Sequence, residues 1–564
     1  MKDKAMKKSI IITLLFTALF APAKAANAAP PADDKVFAAM KDEMARSMAK
    51  LNMDNLGKPY FLSYHIGDGH SFSVTADFGA VENLNSSDYR RLKVDLRAGT
   101  PKFDNSNYAP NMWEGYRAET DWNIALDDNY DALRFAVWSA TDKAYKKALE
   151  TLSKKKAFVE SKNMTELYDD MTPQAPYELY RTFAVERLDE KLWGENVRKV
   201  SAVFLKYPEV KYSSVRLHFN SGGVRYLNSE GSANRQPSCD GDVSITASGY
   251  APDGFRLKAS HVYDFCLAKD APSLETLLAK ADEIGKNLAR MSKSEPIKAY
   301  IGPVLFEKDA AGKFFETLLV NNVANPREVW TEKSRWSEET VYRRSGELVE
   351  RLGMRVTSPF LNVVDDPTVR YHEGVPLSGF YEVDDEGVPA QKIKLVTKGK
   401  LTEYYMSRAA TRDFNKSNGH GRGDFSEYPA GSPSNVFIIP EDNPAKVLPM
   451  PGLKKKFLDL CKEQELDYCI LVKGLDSLYG PFSAWKVYLD GREEPVHGIE
   501  FTGTSLRALR DITAVSKETY VYNLAWSTPG TIVTPSILVQ EMEIKKTEEK
   551  PEKKPYLGHP YFAK

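Results

Sequence analysis

Gly302-Pro303-Val304-Leu305-Phe306 runs, two residues later, into Asp309-Ala310-Ala311-Gly312-Lys313-Phe314-Phe315-Glu316-Thr317-Leu318-Leu319-Val320-Asn321-Asn322-Val323. The first stretch is a short apolar run behind a Gly-Pro break, the pattern of a strand. In the second, Ala311, Phe314, Phe315, Leu318 and Leu319 recur at helical spacing and share one face. Downstream the chain is rich in strand patterns, at 356–364, 392–397, 436–439, 468–473, 485–489, 496–502 and 537–544. Helical patterns at 453–464 and 505–511 interrupt them.

Upstream, long helices are predicted at 33–51, 130–157, 185–205 and 274–291. Tyr60, Leu62, Tyr64 and Ile66 alternate with less apolar neighbours, as in a half-buried strand. Gly67-Asp68-Gly69 reads as a turn with a return strand over 71–76, and 92–96 as a further strand. Ser221-Gly222-Gly223 between 215–219 and 224–227 reads as one hairpin, and Pro252-Asp253-Gly254 between 243–249 and 255–263 as another. The Asn/Asp/Pro/Trp-rich segment 100–128 reads as a long loop. The fold class is therefore α+β. An N-terminal α/β domain with an antiparallel sheet and long helices covers 33–298, and a β-rich domain covers 300–545. The Lys/Glu/Pro-rich end, 546–564, is expected to be a disordered charged tail.

Of the 564 residues, 42% are hydrophobic and 27% charged, which excludes a mostly disordered chain. With 77 basic and 78 acidic residues, no basic excess calls for a nucleic-acid partner. Lys2, Lys4, Lys7 and Lys8 precede an apolar run at 10–20, too short to span a bilayer, and Ala23-Lys24-Ala25 offers a cleavage site. Residues 1–25 thus read as a secretory signal peptide, and the mature chain as periplasmic or extracellular. Disulfides persist in such compartments. Cys239, Cys266, Cys461 and Cys469 allow three pairings, the local pairs being the simplest, with buried free thiols as the alternative.

No H-E-x-x-H, G-x-S-x-G or Walker A pattern occurs among the residues. His65 and His70 flank Asp68, a weak metal triplet better read as surface histidines. Gly419-His420-Gly421-Arg422-Gly423 reads as a flexible loop, and its overlapping Arg422-Gly423-Asp424 tripeptide as chance. Two acidic clusters remain, Asp365-Asp366-Pro367 and Asp384-Asp385-Glu386-Gly387. Carboxylate pairs bind cations or share a proton, but Asp before Pro or Gly also caps turns, and turn chemistry is favoured here.

These clusters also carry a resemblance. The 302–323 strand and helix, Leu352-Gly353-Met354-Arg355-Val356-Thr357-Ser358-Pro359, Val364-Asp365-Asp366-Pro367, Asp384 to Pro389, 395–401 and 412–421 stand in one order. Ser434-Asn435, Glu494-Pro495-Val496-His497-Gly498, 506–515 and 535–544 follow, and upstream Leu227-Asn228-Ser229-Glu230-Gly231 forms an N-S-E-G turn. This pattern resembles the TldD/PmbA family (TldD/TldE, modulator of gyrase), strongly over 302–544 and less so over 55–300. The resemblance implies a zinc peptidase with H-E-x-x-x-H on the 309–323 helix and a later cysteine as third ligand. Here Glu316 and Asn321 fall in the two histidine slots, and 522–535 holds no cysteine. No metal ligand is therefore assigned and no cofactor predicted, since zinc affinity rests on those few bonds.

The family's motif-less PmbA/TldE type pairs with a catalytic subunit. By that resemblance the chain is expected to be a homodimer, or a heterodimer with a TldD-type homologue. It would lack a membrane span and assist peptide binding and proteolysis, with Asp365, Asp366, Asp384 and Asp385 as candidate substrate contacts. The alternatives are an active metallopeptidase using other ligands (Glu316, Asp365, Asp366, Asp384, Asp385, His372) or a periplasmic binding or structural module.

Overall fold

The computed structural model describes residues 34–548 and 560–562, apart from 54–56, 112–115, 166, 325–326, 333–340, 344–345, 476–482, 503–505 and 525–527. The expected signal peptide and most of the expected tail lie outside the described residues.

The N-terminal sheet is built on four long antiparallel strands, β1 (Pro59–Asp77), β2 (Ala80–Thr100), β3 (Tyr212–Asn228) and β4 (Ala233–Tyr250), in the order β2-β1-β3-β4, with β5 (Arg256–Phe265) beside β4. Helices α1 (Lys35–Lys50), α2 (Tyr130–Ser161), α3 (Glu190–Ala202) and α4 (Leu274–Met291) each start on a capping side chain. Asp34, Asn129, Asp189 and Ser273 accept from the backbone N–H three residues on. All four cover one face of the sheet. Leu62, Tyr64 and Ile66 of β1 pack in the α1–α2 core, and Phe72, Val74 and Ala76 of the same face in the α3–α4 core.

The two expected turns inside β1 and β3 do not form. Gly69 and Gly222 are directly paired across these continuous strands. A Cβ on Gly222 would lie 2.1 Å from Asp68 O, and one on Gly69 2.4 Å from Ser221 O. These glycines admit a close approach of backbones, not a reversal. Residues 65 and 70 consequently project from opposite faces of one strand, which rules out the metal triplet. The hairpin around Pro252-Asp253-Gly254 forms as expected. Helix α3 is shorter than the predicted 185–205.

The 100–128 segment is a long loop with three short strands, Phe103–Asp104, Tyr108–Ala109 and Glu119–Asp121, and part of it is buried. Asp104, Asn105, Ser106 and Asn107 are buried, and Lys155 of α2, 1% exposed, donates to Asp104 O (3.1 Å), Ser106 O (2.7 Å) and Asp170 (2.6 Å). Polar residues satisfied by one another in a core look, in sequence, like residues meant for water.

The second sheet centres on β6 (Ala299–Phe306). It is parallel to the later strand Tyr468–Gly474 and antiparallel to the long C-terminal strand Gly530–Lys546. The helix at 309–323, α5, fills one face with Phe314, Phe315, Leu318 and Leu319. The helix Met450–Glu463, α6, covers the other, where Leu453 and Phe457 meet Leu305. Burial on both faces explains the uninterrupted Val304-Leu305-Phe306 run. The strand Ile512–Leu524, which pairs with Gly530–Lys546, was not anticipated. Cys239 bonds to Cys266 and Cys461 to Cys469. Among the described residues no helix is long and apolar enough to cross a membrane.

The helix-free face of the first sheet docks on residues 378–431. Arg408, 1% exposed, makes a bidentate pair with Glu230 of the N-S-E-G turn (2.6 and 2.9 Å) and donates twice to Thr172 O. Arg181–Glu382, Lys93 to Glu427 O and Tyr226 to Glu386 O extend the junction.

Candidate functional site

Helix α5 begins at Asp309 after Lys308, whose φ is +47°. Its regular turns, Asp309–Phe315, widen into a π-helical turn at Glu316–Val320 before Asn321–Val323 closes it. Such bulges concentrate at functional positions. Glu316, 3% exposed, accepts from Tyr522 Oη (2.7 Å) and pairs with Lys313 Nζ (3.1 Å). Tyr522 fits because residue 312 is glycine, where a Cβ would lie 2.3 Å from its ring. Asn321, the other slot, is exposed.

The two slots therefore do not converge on one point, and the buried one is engaged by a lysine and a phenol. Zinc does not fit these residues, and no step is derived through it. Among the described residues, no three His, Cys, Asp or Glu side chains converge on a metal position.

The start of α5 faces β5. His261 Nδ1 lies 3.4 Å from Asp309, and Asn523 donates to Asp264 at 3.0 Å. Burial pushes Asp264 up to about 6 against the Asn523 bond, and neighbouring Asp242, its cross-strand partner, pushes the same way.

The two acidic clusters meet around His420, which is fully buried, so the glycine-rich stretch is not a flexible loop. Gly421–Arg422 pairs with Ala430–Gly431, and a Cβ on Gly419 would strike Pro389 O at 2.2 Å. His420 Nε2 is 3.4 Å from Asp365 Oδ1. Asp365 accepts from the Ser434 N–H and hydroxyl. Asp366 accepts from the Thr368 N–H (3.1 Å) and hydroxyl (2.6 Å). Asp384 takes the N–H groups of Glu386, Val388 and Gly421, and Asp385 those of Gly423 and the Arg422 guanidinium. All four aspartates thus cap backbone, as turn chemistry requires.

Burial, reinforced by Glu386, holds Asp384 well above the carboxylate range. Burial likewise raises Glu386 to about 7 against the pull of Arg408. Arg422 lies over the Tyr381 ring. His372 bonds Thr519 Oγ1 at 2.9 Å, apart from these groups. Sequence reasoning missed Lys313, Tyr522, Glu386, Arg408 and His420. The glycines that let the backbone pass beside His420 were the one available signal.

A mixed α+β chain with an antiparallel N-terminal sheet, a β-rich C-terminal domain and a buried helix behind a Gly-Pro strand defines the class of TldD-like folds. Residues 299–546 match the PmbA/TldA metallopeptidase C-terminal domain. Over 94 residues the chain is 38% identical to a metalloprotease of Methanocaldococcus jannaschii, 16% of this chain and 20% of that one. Over 174 residues it is 26% identical to a metalloprotease TldD homologue of Buchnera aphidicola, 29% of this chain and 32% of that one. The matched stretches thus span about a fifth to a third of those relatives.

The fold matches TldE from Thermococcus kodakarensis with TM-score 0.57 and 15% identity, over 90% of this chain and 99% of that one. It also matches a Thermotoga maritima structure described as a candidate modulator of a DNA gyrase, with TM-score 0.56 and 15% identity, over 86% and 96%. Residues 299–546 thus match the family's C-terminal domain, and the chain as a whole shares the fold of TldE.

Proposed function

We propose that this chain is an exported, zinc-less family member acting as the non-catalytic partner in peptide binding and proteolysis. It would work as a homodimer or as a heterodimer with a zinc-bearing homologue. The observation that carries this reading is the seat of Glu316, where Lys313 and Tyr522 stand in place of metal ligands. The fold likeness to TldE supports it. Two disulfides support export, because cytosolic thiols are kept reduced.

The test uses the chain from residue 26 onward, purified without a His tag. Elemental mass spectrometry is expected to find far less than one zinc per chain, and the protein is expected to capture an exported H-E-x-x-x-H homologue. About one tightly held zinc would overturn the zinc-less reading. Failure to bind any such homologue would overturn the partner role.

A further inference from the structure

His497, in the Glu494-Pro495-Val496-His497-Gly498 stretch, lies where three segments meet. It sits on the strand Glu493–His497 of the second sheet and is 3% exposed. Its Nδ1 is 2.8 Å from Ser294 Oγ, just beyond α4, and its Nε2 is 3.2 Å from Asp253 Oδ2, in the β4–β5 turn. Both partners belong to the N-terminal half. The Phe255 ring stacks on the imidazole at 5.2 Å, and the Ile297 N–H donates to His497 O, so the ring has little freedom to turn.

The order Ser–His–Asp invites a nucleophile reading, but the hydrogen bonds deny it. Ser294 Oγ already gives its proton to Met291 O at 2.6 Å. It can therefore only accept from Nδ1–H, and a serine in that role is not being deprotonated. Nε2 faces a carboxylate oxygen, which also only accepts while ionised. Burial works against ionisation of Asp253, but the Phe255 N–H and His497 outweigh it and hold its carboxyl below the usual value. While Ser294 keeps its bond to Met291 O, both ring nitrogens act as donors.

We infer that the Ser294–His497–Asp253 bridge is a proton-dependent latch between the two halves of the molecule, closed while the imidazole is cationic. Loss of either ring proton forfeits one bond: without Nε2–H two acceptors meet at 3.2 Å, and without Nδ1–H Ser294 must turn its hydroxyl away from Met291 O. The charged groups around it agree. Asp253 faces the ring from the turn, and Lys546, at the end of the C-terminal strand, acts on Asp253. From α4, Arg290 is directed over Trp485. Glu494, on the latch's own strand, pairs with Arg492 and accepts from Tyr488. The latch fits a protein exposed to external pH, but it does not depend on the partner role proposed above.

Tryptic cleavage of the full chain at the exposed Lys293 and Lys298 reads the junction directly. From about pH 6 to about pH 9, after correction for trypsin's own pH dependence, wild-type cleavage is expected to rise roughly tenfold, one decade per 1.36 kcal/mol of lost bridge. In Asp253→Asn the rise should shrink at least threefold. His497→Asn should lose the rise altogether. Cleavage profiles of wild type and Asp253→Asn that superimpose would overturn the latch. Asp253 is about one-third exposed, so its amide variant keeps the test decisive if His497→Asn fails to fold.

Discussion

At the scale of single residues, the buried carboxylates make stability depend on pH in a stated direction. Glu386 titrates at about 7 in the fold, against 4.5 for an unperturbed glutamate. Between those values the native state binds more protons than the unfolded chain, so stability falls as pH rises from about 4.5 to about 7, then levels off. The span corresponds to an upper bound of roughly 3 kcal/mol, shared with coupled Asp384. Glu386→Gln should flatten that slope in urea titrations at pH 5, 6 and 7. An unchanged slope would mean that the acid-side stability arises elsewhere, for instance at Asp264. Residues of this kind were hard to read in the sequence. Asp384 and Asp385 were visible as a turn signature, and they do cap turns. The Glu386–Arg408 and Glu316–Tyr522 contacts join positions 22 and 206 residues apart, which no local pattern encodes.

At the scale of elements, glycine has two meanings that a lone sequence does not separate. In the N-terminal sheet it permits strands to approach. In α3, Gly194 meets nothing closer than 4.0 Å and only lowers helix propensity. Gly222→Ala is therefore expected to cost at least about 1–3 kcal/mol, because the added carbon meets backbone rather than a movable side chain. Gly194→Ala should instead stabilise by about 0.5–1 kcal/mol. Thermal denaturation of both variants checks the contrast, and a neutral Gly222→Ala would mean that the sheet is looser than its register implies. The same logic separates what was legible from what was not. Strand β6 was legible because burial on both faces writes an unbroken apolar run. Strands β1 and β3 were cut in two because their contact point is written in the turn alphabet. Segment 100–128 is a long loop as expected, but its burial was not legible because mutual satisfaction of polar groups leaves no hydrophobic trace.

At the scale of the molecule, Arg408 is the central polar tie between the two sheets. It leaves the second half, lies beneath Phe61 and closes on Glu230 and Thr172 O of the first. Removing it strands the Thr172 carbonyl and one carboxylate at a buried junction, a loss of about 3–5 kcal/mol by analogy with other broken buried pairs. Glu230 is one-third exposed, so water can compensate for its loss in part. Arg408→Ala should therefore be the more damaging change and Glu230→Gln the milder one. Calorimetry supplies the sharper readout. If the junction couples the halves, the wild type unfolds in one transition, and Arg408→Ala separates it into two, each sheet melting on its own core. A single cooperative transition in Arg408→Ala, merely shifted to lower temperature, would show that apolar contacts across the junction outweigh the ion pairs. The N-S-E-G turn would then owe its form to the sheet it ends rather than to the domain it faces.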